Sequence, residues 1–318
     1  MHKVAVVGSF VADLMAMAPR LPTRGETVMG QLFRTGAGGK GFNQAIAARL
    51  AGANITFSTR LGRDSFAQLA LETMERVGLS TEHLLWSDEE PTGAALICVD
   101  SQGGGNQIVV VPGACGRFSE AEIDSLSGLV APCSYLLLQL EIDMHAVERL
   151  AMAAAAQGVR VILNPAPAQE ISPALYRSLF LITPNEVETA SLTGITCHSL
   201  EDCRAAARVF FERGVERVAI TLGSAGVYCS DGEQDALFPN WDVPVVDTTG
   251  AGDAFNGGLL AGLGKGMPFF EAVQYGEAAA NLSVGKMGTA VSMPEEKEIE
   301  ALLQSGTLLG GEIAELQE

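Results

Sequence analysis

YLLLQLEIDMHAVERLAMAAAAQGVRVILNP, residues 135 to 165, reads as a strand, a helix and a second strand. YLLLQLE (135–141) and VRVILNP (159–165) are apolar nearly throughout, without the alternation of a half-exposed strand. Between them, residues 143 to 157 carry helical periodicity, open on Asp143 as an N-cap and stop at Gly158. A strand buried on both faces and returned by a helix predicts a parallel sheet with helices on both sides. KVAVVGS (3–9), LFLITPNE (179–186) and RVAITLGS (217–224) repeat the design, and a second helix is predicted over 199–213, from Ser199 to Gly214. In such sheets ligands collect at the carboxyl ends of the strands. Those ends carry Glu141, Asn164, Asn185, Thr221 and Gly223, with Asp13 shortly after the first.

The chain has 318 residues, 47% hydrophobic, enough for one large α/β domain. Its net charge of −18 repels phosphates at long range, which excludes a nucleic-acid or anionic-membrane partner and demands a local device for any phosphate ligand. The six cysteines (98, 115, 133, 197, 203, 229) form no CxxC and read as buried free thiols. His2, His83, His145 and His198 fall in no metal spacing, and the ten methionines read as core filler. MHKVAVVGSF is too short an apolar run for a signal peptide, and nothing approaches the ~20 apolar residues that span a bilayer, so the cytoplasm is expected. The C-terminal GEIAELQE reads as a frayed acidic tail.

Residues 14–35 and 93–111 break the strand and helix alternation. TGAALICVD and NQIVVVPG flank the turn SQGGG as a hairpin would, and ETVMGQLF (26–33) is a candidate edge strand. Together they predict a small β-rich lid over the strand ends, inserted in a single domain spanning 1–318.

Two glycine-rich stretches remain. GAGGKGFNQA (36–45) contains a GxGxxG at Gly36, Gly38 and Gly41, but it does not directly follow the first strand, and Phe42 stands where a Walker A lysine belongs. Either the glycines permit a tight entry into the helix NQAIAARLAG, or the backbone approaches a small ligand with Lys40 and Asn43 facing it. In DTTGAGDAF (247–255), WDVPVVD before it alternates as a strand, and Phe255, Leu259 and Leu263 after it have helical spacing. Gly250, Ala251 and Gly252 then lie at a helix start whose free N–H groups form an anion site. Asp253 has two jobs open to it: a cap or dipole partner worth ~1 kcal/mol, or a base that deprotonates a hydroxyl while the amides hold a phosphoryl group. Asp247 or the threonines can already serve as cap, which favours the base.

GGKGFNQA with Gly52 and Gly62, together with DTTGAGDAFNGG, resembles the two signatures of the ribokinase (PfkB-type) family of carbohydrate kinases. GSFVAD, RGETV (24–28), LQLE (138–141), NPAPA (164–168), TPNEVE (183–188) and TLGSAG (221–226) extend the resemblance over nearly the whole chain, in order. It implies a three-layer ribokinase-like α/β fold, a mostly parallel sheet covered by helices with a β lid, and transfer of the γ-phosphoryl of ATP to a sugar hydroxyl. Position by position, it implies Asp253 as catalytic base with the amides of Gly250, Ala251 and Gly252. It implies ATP over Thr221, Gly223, Ser224, Gly226 and Gly252, with Asn185 and Glu277 nearby. Asn185 and Glu188 match an element that organises Mg²⁺ largely through water. Asp247, Thr249, Ser283, Lys286, Gly288 and Ser292 match a K⁺ site, several through carbonyls, Lys286 among them. The sugar-side matches are Asp13, Gly39, Lys40, Asn43 and Glu141, residues suited to hydroxyls.

Two departures stand out. Val11 occupies the position of a sugar-binding Asn in ribokinases, which favours 2-deoxyribose or another sugar lacking or redirecting one hydroxyl; deoxyribokinases also carry an apolar residue there. Glu277 stands where ribokinases often have a His. A dehydrogenase rests on GAGGKG alone, a non-catalytic sugar sensor would share every residue except a working base, and a nucleoside kinase lacks an aromatic cluster in the lid. The lid's apolar residues, Val28, Ile97, Ile108 and Val110 among them, predict a lid-to-lid homodimer.

Overall fold

The structure, a computed structural model, describes residues 1–103 and 105–309. The acidic C-terminal tail and Gly104 of the predicted hairpin turn lie outside the described residues. In chain order the strands are β1 Lys3–Val7, β2 Val11–Ala18, β3 Leu32–Gly38, β4 Asn54–Ser58, β5 Arg60–Gly62, β6 Leu85–Ser87 and β7 Thr92–Asp100. They continue with β8 Asn106–Gly113, β9 Tyr135–Gln139, β10 Arg160–Asn164, β11 Leu179–Ile182, β12 Arg217–Thr221, β13 Val227–Ser230 and β14 Asp235–Phe238. The helices are α1 Lys40–Leu50, α2 Ser65–Val77, α3 Glu120–Val130, α4 Met144–Ala156, α5 Pro173–Arg177, α6 Glu186–Thr193, α7 Leu200–Glu212, α8 Ala251–Lys265, α9 Phe269–Ser283 and α10 Glu296–Ser305.

Eight strands form the main sheet in the order β14-β13-β12-β11-β10-β9-β1-β4, and every pair from β12 to β4 is parallel. The apolar runs split their side chains between two cores. Val4, Val6 and Leu137 point into one, with α1, α8 and α9. Ala5, Val7, Leu136 and Leu138 point into the other, with α3, α4 and α7. This is the three-layer arrangement that fully apolar strands require. Helix α4 starts where expected, with the Asp143 side chain accepting from the His145 N–H, and α7 is capped by Ser199.

A separate four-stranded sheet, β3-β2-β7-β8, forms the lid. Its strands span 11–18, 32–38, 92–100 and 106–113, wider than the expected 14–35 and 93–111. Two sequence-based strands are not observed. ETVMGQLF is irregular up to Gln31, and the edge strand is Leu32–Gly38, so it runs directly into the glycine stretch and α1. WDVPVVD makes only a single bridge, Trp241 to Leu308. Val245 and Val246 are 67% and 58% exposed and Pro244 has no N–H to give, so the alternation there has no buried face behind it.

Three backbone contacts wedge the helices that bear the site. A Cβ on Gly41 would lie 2.5 Å from Gly8 Cα, bringing the start of α1 onto the end of β1. A Cβ on Gly257 would strike Ala47 of α1, and one on Gly276 would lie 2.7 Å from the Phe255 carbonyl, locking α8 between α1 and α9.

Candidate active site

Helix α8 begins at Gly250, in the left-handed conformation (φ 82°), with no side-chain cap. Asp247 does not cap it. Its two carboxylate oxygens instead accept the N–H groups of Thr249 (2.9 Å) and Gly288 (3.0 Å). Burial makes the Asp247 carboxyl harder to ionise, but these bonds outweigh it and hold the carboxyl below its usual range. The N–H groups of Gly250, Gly252 and Asp253 have no acceptor among the described residues, whereas Ala251 N–H reaches the Thr248 carbonyl at 3.2 Å. The free donors at this helix start are therefore those of Gly250, Gly252 and Asp253, because the turn that aims the helix engages the Ala251 N–H.

Asp253 lies inside the first turn and is 7% exposed. Its Oδ2 accepts from Asn43 Nδ2 and its Oδ1 from Gln44 Nε2, both at 3.0 Å. Burial pushes its carboxyl upward, against the attraction of Lys40 and these two bonds. Gln44 was not singled out from sequence, yet it is fully buried and also bonds Asn164 Oδ1 (3.0 Å) and accepts from Gln139 Nε2 (2.6 Å). The network runs on through Asn164 to the Thr183 carbonyl, and separately from Thr183 Oγ1 to Asn256 and from Asn256 to the Gly252 carbonyl. A signal existed: polar residues next to or inside apolar elements, at positions the helical pattern assigns to the core.

On the lid side of Asp253 sit Asp13, Lys40 and Glu141. Glu141 Oε2 accepts from Ser9 Oγ (2.6 Å) and from the Lys40 N–H (2.8 Å), so one oxygen caps α1 from across the sheet while the other stays available. Burial, helped by Glu141 and Asp253, lifts Asp13 to about 6. The Asp13 carboxylate lies over Gly38, where any Cβ would strike it. Burial tends to discharge Lys40, but Asp253, Glu141 and Glu188 together raise it above its usual value. Gly39 holds a positive φ (94°) against the backbone of residues 9 to 11, so the glycine stretch packs closely where it enters α1. Asn43 Oδ1 is buried without a partner. Val11 is buried at the start of β2, opposite Gly38 and Gly93.

On the other side of α8 opens a cavity of about 540 Å³. Asn185, Thr221, Gly223, Ser224, Gly226, Gly252 and Glu277, the residues expected around a nucleotide, all line it. Sequence reasoning missed Asn240, Trp241, Val243, Phe255 and Asn281 in the same wall. Asn185 and Glu188 form a capping box on α6, each side chain bonding the other's N–H. The N-x-x-E spacing that suggested metal also spells this cap. Ser283 and Ser292 hydroxyls bond the Ala280 and Thr289 carbonyls, and Lys286 directs its ammonium to Glu298 (3.2 Å). Among the described residues no three His, Cys, Asp or Glu side chains cluster as a metal cage, and no helix is long and apolar enough to cross a membrane. A larger groove of about 710 Å³, by Tyr176, Arg177 and Arg213, contains none of these residues.

The family model for pfkB family carbohydrate kinase matches residues 1–296. A ribokinase of Haemophilus influenzae is 38% identical over 295 residues, 93% of this chain and 96% of that protein. A deoxyribokinase of Salmonella typhi is 33% identical over 255 residues, 80% and 83% of the two chains. The structure of Arabidopsis thaliana ribokinase complexed with ribose and ATP superposes with a TM-score of 0.88 at 31% identity, covering 96% of this chain and 99% of that one. Fold, site geometry and similarity agree, and the chain belongs to the pfkB family of carbohydrate kinases as an ATP-dependent sugar kinase.

Proposed function

We propose that this kinase phosphorylates a pentose-like sugar, ribose or 2-deoxyribose in kind. One observation carries the reading: Gly252 lines the 540 Å³ cavity, while its neighbour Asp253 faces the polar cluster on the opposite side of the helix start. A hydroxyl beside Asp253 would pass its proton to a carboxylate oxygen as its own oxygen bonds the γ-phosphorus and the bond to the departing ADP oxygen breaks. The free N–H groups of Gly250 and Gly252 would hold the charge on the migrating group, and Lys40 would add a fixed cation. Asp13, Asn43 and Glu141 would bind the remaining hydroxyls, with the orphaned Asn43 Oδ1 awaiting a donor. Val11 gives no hydrogen bond at the lid hinge, which supports a sugar with one hydroxyl fewer on that side.

The donor sets suit hard cations. Asp247 with the carbonyls around Thr249, Ser283, Lys286, Gly288 and Ser292 is an all-oxygen set that would hold K⁺, and Asn185 with Glu188 leaves Mg²⁺ mostly to water and phosphate. When bound, these ions would offset phosphate charge in a chain of net charge −18. The exposed lid residues Phe33 (64%), Leu96, Ile108, Val109, Val110 and Val111 support a lid-to-lid homodimer, with Val28 and Ile97 only partly exposed. Six free cysteines agree with a reducing cytoplasm. Turnover of ribose, 2-deoxyribose, fructose and nucleosides with ATP, side by side, tests the reading; activity confined to hexoses or nucleosides would overturn it.

A further inference from the structure

The wall of the nucleotide cavity contains a carboxyl with no counter-charge. Glu277 on α9 is 4% exposed and forms no ion pair among the described residues. The walls around it come from Phe255 on α8, Asn240 and Trp241 on the connection after β14, and Asn281 on its own helix; the other titratable wall residue is Glu186 on α6.

The hydrogen bonds fix which oxygen of Glu277 can carry a proton. Trp241 N–H donates to Asn281 Oδ1 at 2.9 Å, so the Asn281 amide has a single orientation. Its Nδ2 then lies 3.0 Å from Glu277 Oε1. Oε1 shares this donor with the Glu277 carbonyl (2.9 Å) and Asn240 Oδ1 (3.1 Å), which makes it the accepting oxygen and leaves Oε2, bonded by no group among the described residues, as the place for a proton. Burial raises this carboxyl to about 7, against the opposing bond from Asn281, so the proton is retained close to neutrality.

We propose that Glu277 recognises the nucleotide's base as a hydrogen-bond donor, its Oε2–H meeting a ring nitrogen of the purine, so that nucleotide binding takes up a proton. This rests on the reading that the 540 Å³ cavity holds the nucleotide. A carboxylate at that place could only accept, and would face the ring nitrogen's lone pair with like charge.

The test is ADP binding by calorimetry across neutral and mildly alkaline pH, for the wild type and for Glu277→Gln, whose amide donates at every pH. Wild-type affinity is expected to weaken about tenfold for each pH unit above ~7, and the variant to lose that slope; titration of the phosphates is common to both. Independently of whether the variant folds, wild type at about pH 8, measured in two buffers of different ionisation enthalpy, should take up close to one proton per ADP. Equal slopes in the two proteins, or no proton uptake by the wild type, would overturn the donor role while leaving the cavity's assignment intact. Failure of ADP to bind at any pH would remove both.

Discussion

Gln44 Nε2 lies 3.0 Å from Asp253 Oδ1 and 3.0 Å from Asn164 Oδ1, so one side chain on α1 ties the carboxylate on α8 to the end of β10. Gln44→Leu cuts both bonds, and the one accepted from Gln139, at nearly unchanged volume. Turnover should fall by roughly tenfold or more while sugar affinity changes less, and the fold should lose ~1 to 3 kcal/mol for the polar groups left unpaired. Steady-state kinetics beside denaturant unfolding separates the two effects. An unchanged kcat would show that Asp253 needs no such anchor.

Asp253→Asn removes the proposed base but keeps its shape. A turnover loss of at least ~10² is expected, with sugar binding mostly retained. The amide can accept from only one of Asn43 and Gln44, since its own N–H₂ must face the other. A modest loss of stability should therefore accompany the kinetic defect. Equilibrium sugar binding and thermal unfolding check both, and wild-type-like turnover would reassign Asp253 to a structural role.

Asp13 sets a pH dependence whose sign is fixed by burial. Its folded value near 6 lies above the ordinary 3.8, so the folded protein holds a proton there that the unfolded chain has released. The associated stability is present below ~4 and is lost as pH rises to about 6. Asp13→Asn should accordingly stabilise the apoprotein at neutral pH, by up to about 3 kcal/mol, and hardly at all in mild acid. Sugar affinity of the wild type should improve as pH rises through ~6, when the carboxylate becomes a double acceptor. Melting curves and sugar titrations at several pH values would reveal an absent step.

Val11→Asn places a hydrogen-bonding group at the hinge between lid and core. If Val11 disfavours a hydroxyl, the ratio of kcat/KM for ribose over 2-deoxyribose should rise by tenfold or more. A ratio unmoved by the substitution would take specificity elsewhere.

Ile108→Asp and Val110→Asp introduce charge into the exposed strand at the lid's edge. Sedimentation should find the wild type dimeric and both variants monomeric at micromolar concentration. A monomeric wild type would count against the lid-to-lid contact.

The parallel sheet was legible because its strands carry apolar residues on both faces, and no other placement buries YLLLQL and VRVILN. The cavity beside α8 was legible in part, because small residues at strand ends cluster wherever the chain turns there. WDVPVVD misled because alternation records only side-chain chemistry, whereas a strand needs a neighbour along its length, and among the described residues this stretch is bridged only at Trp241, to Leu308. Gln44 escaped notice because its partners lie 95 to 209 residues away in sequence, and no local pattern encodes such a meeting. The capping box of α6 was written plainly in NEVE, but the same letters also describe a metal element.

Gly41, Gly257 and Gly276 bring the mainchains around the site into direct touch, with no side chains interposed to adjust the spacing. Substitutions elsewhere can therefore do little to change the spacing between Asp253 and the cavity on the other side of α8. The lid junction and the cavity wall are held as closely at Gly39 and Gly226, where an added Cβ would meet neighbouring backbone. A change of sugar or nucleotide would thus have to come from side chains rather than from shifts of these elements.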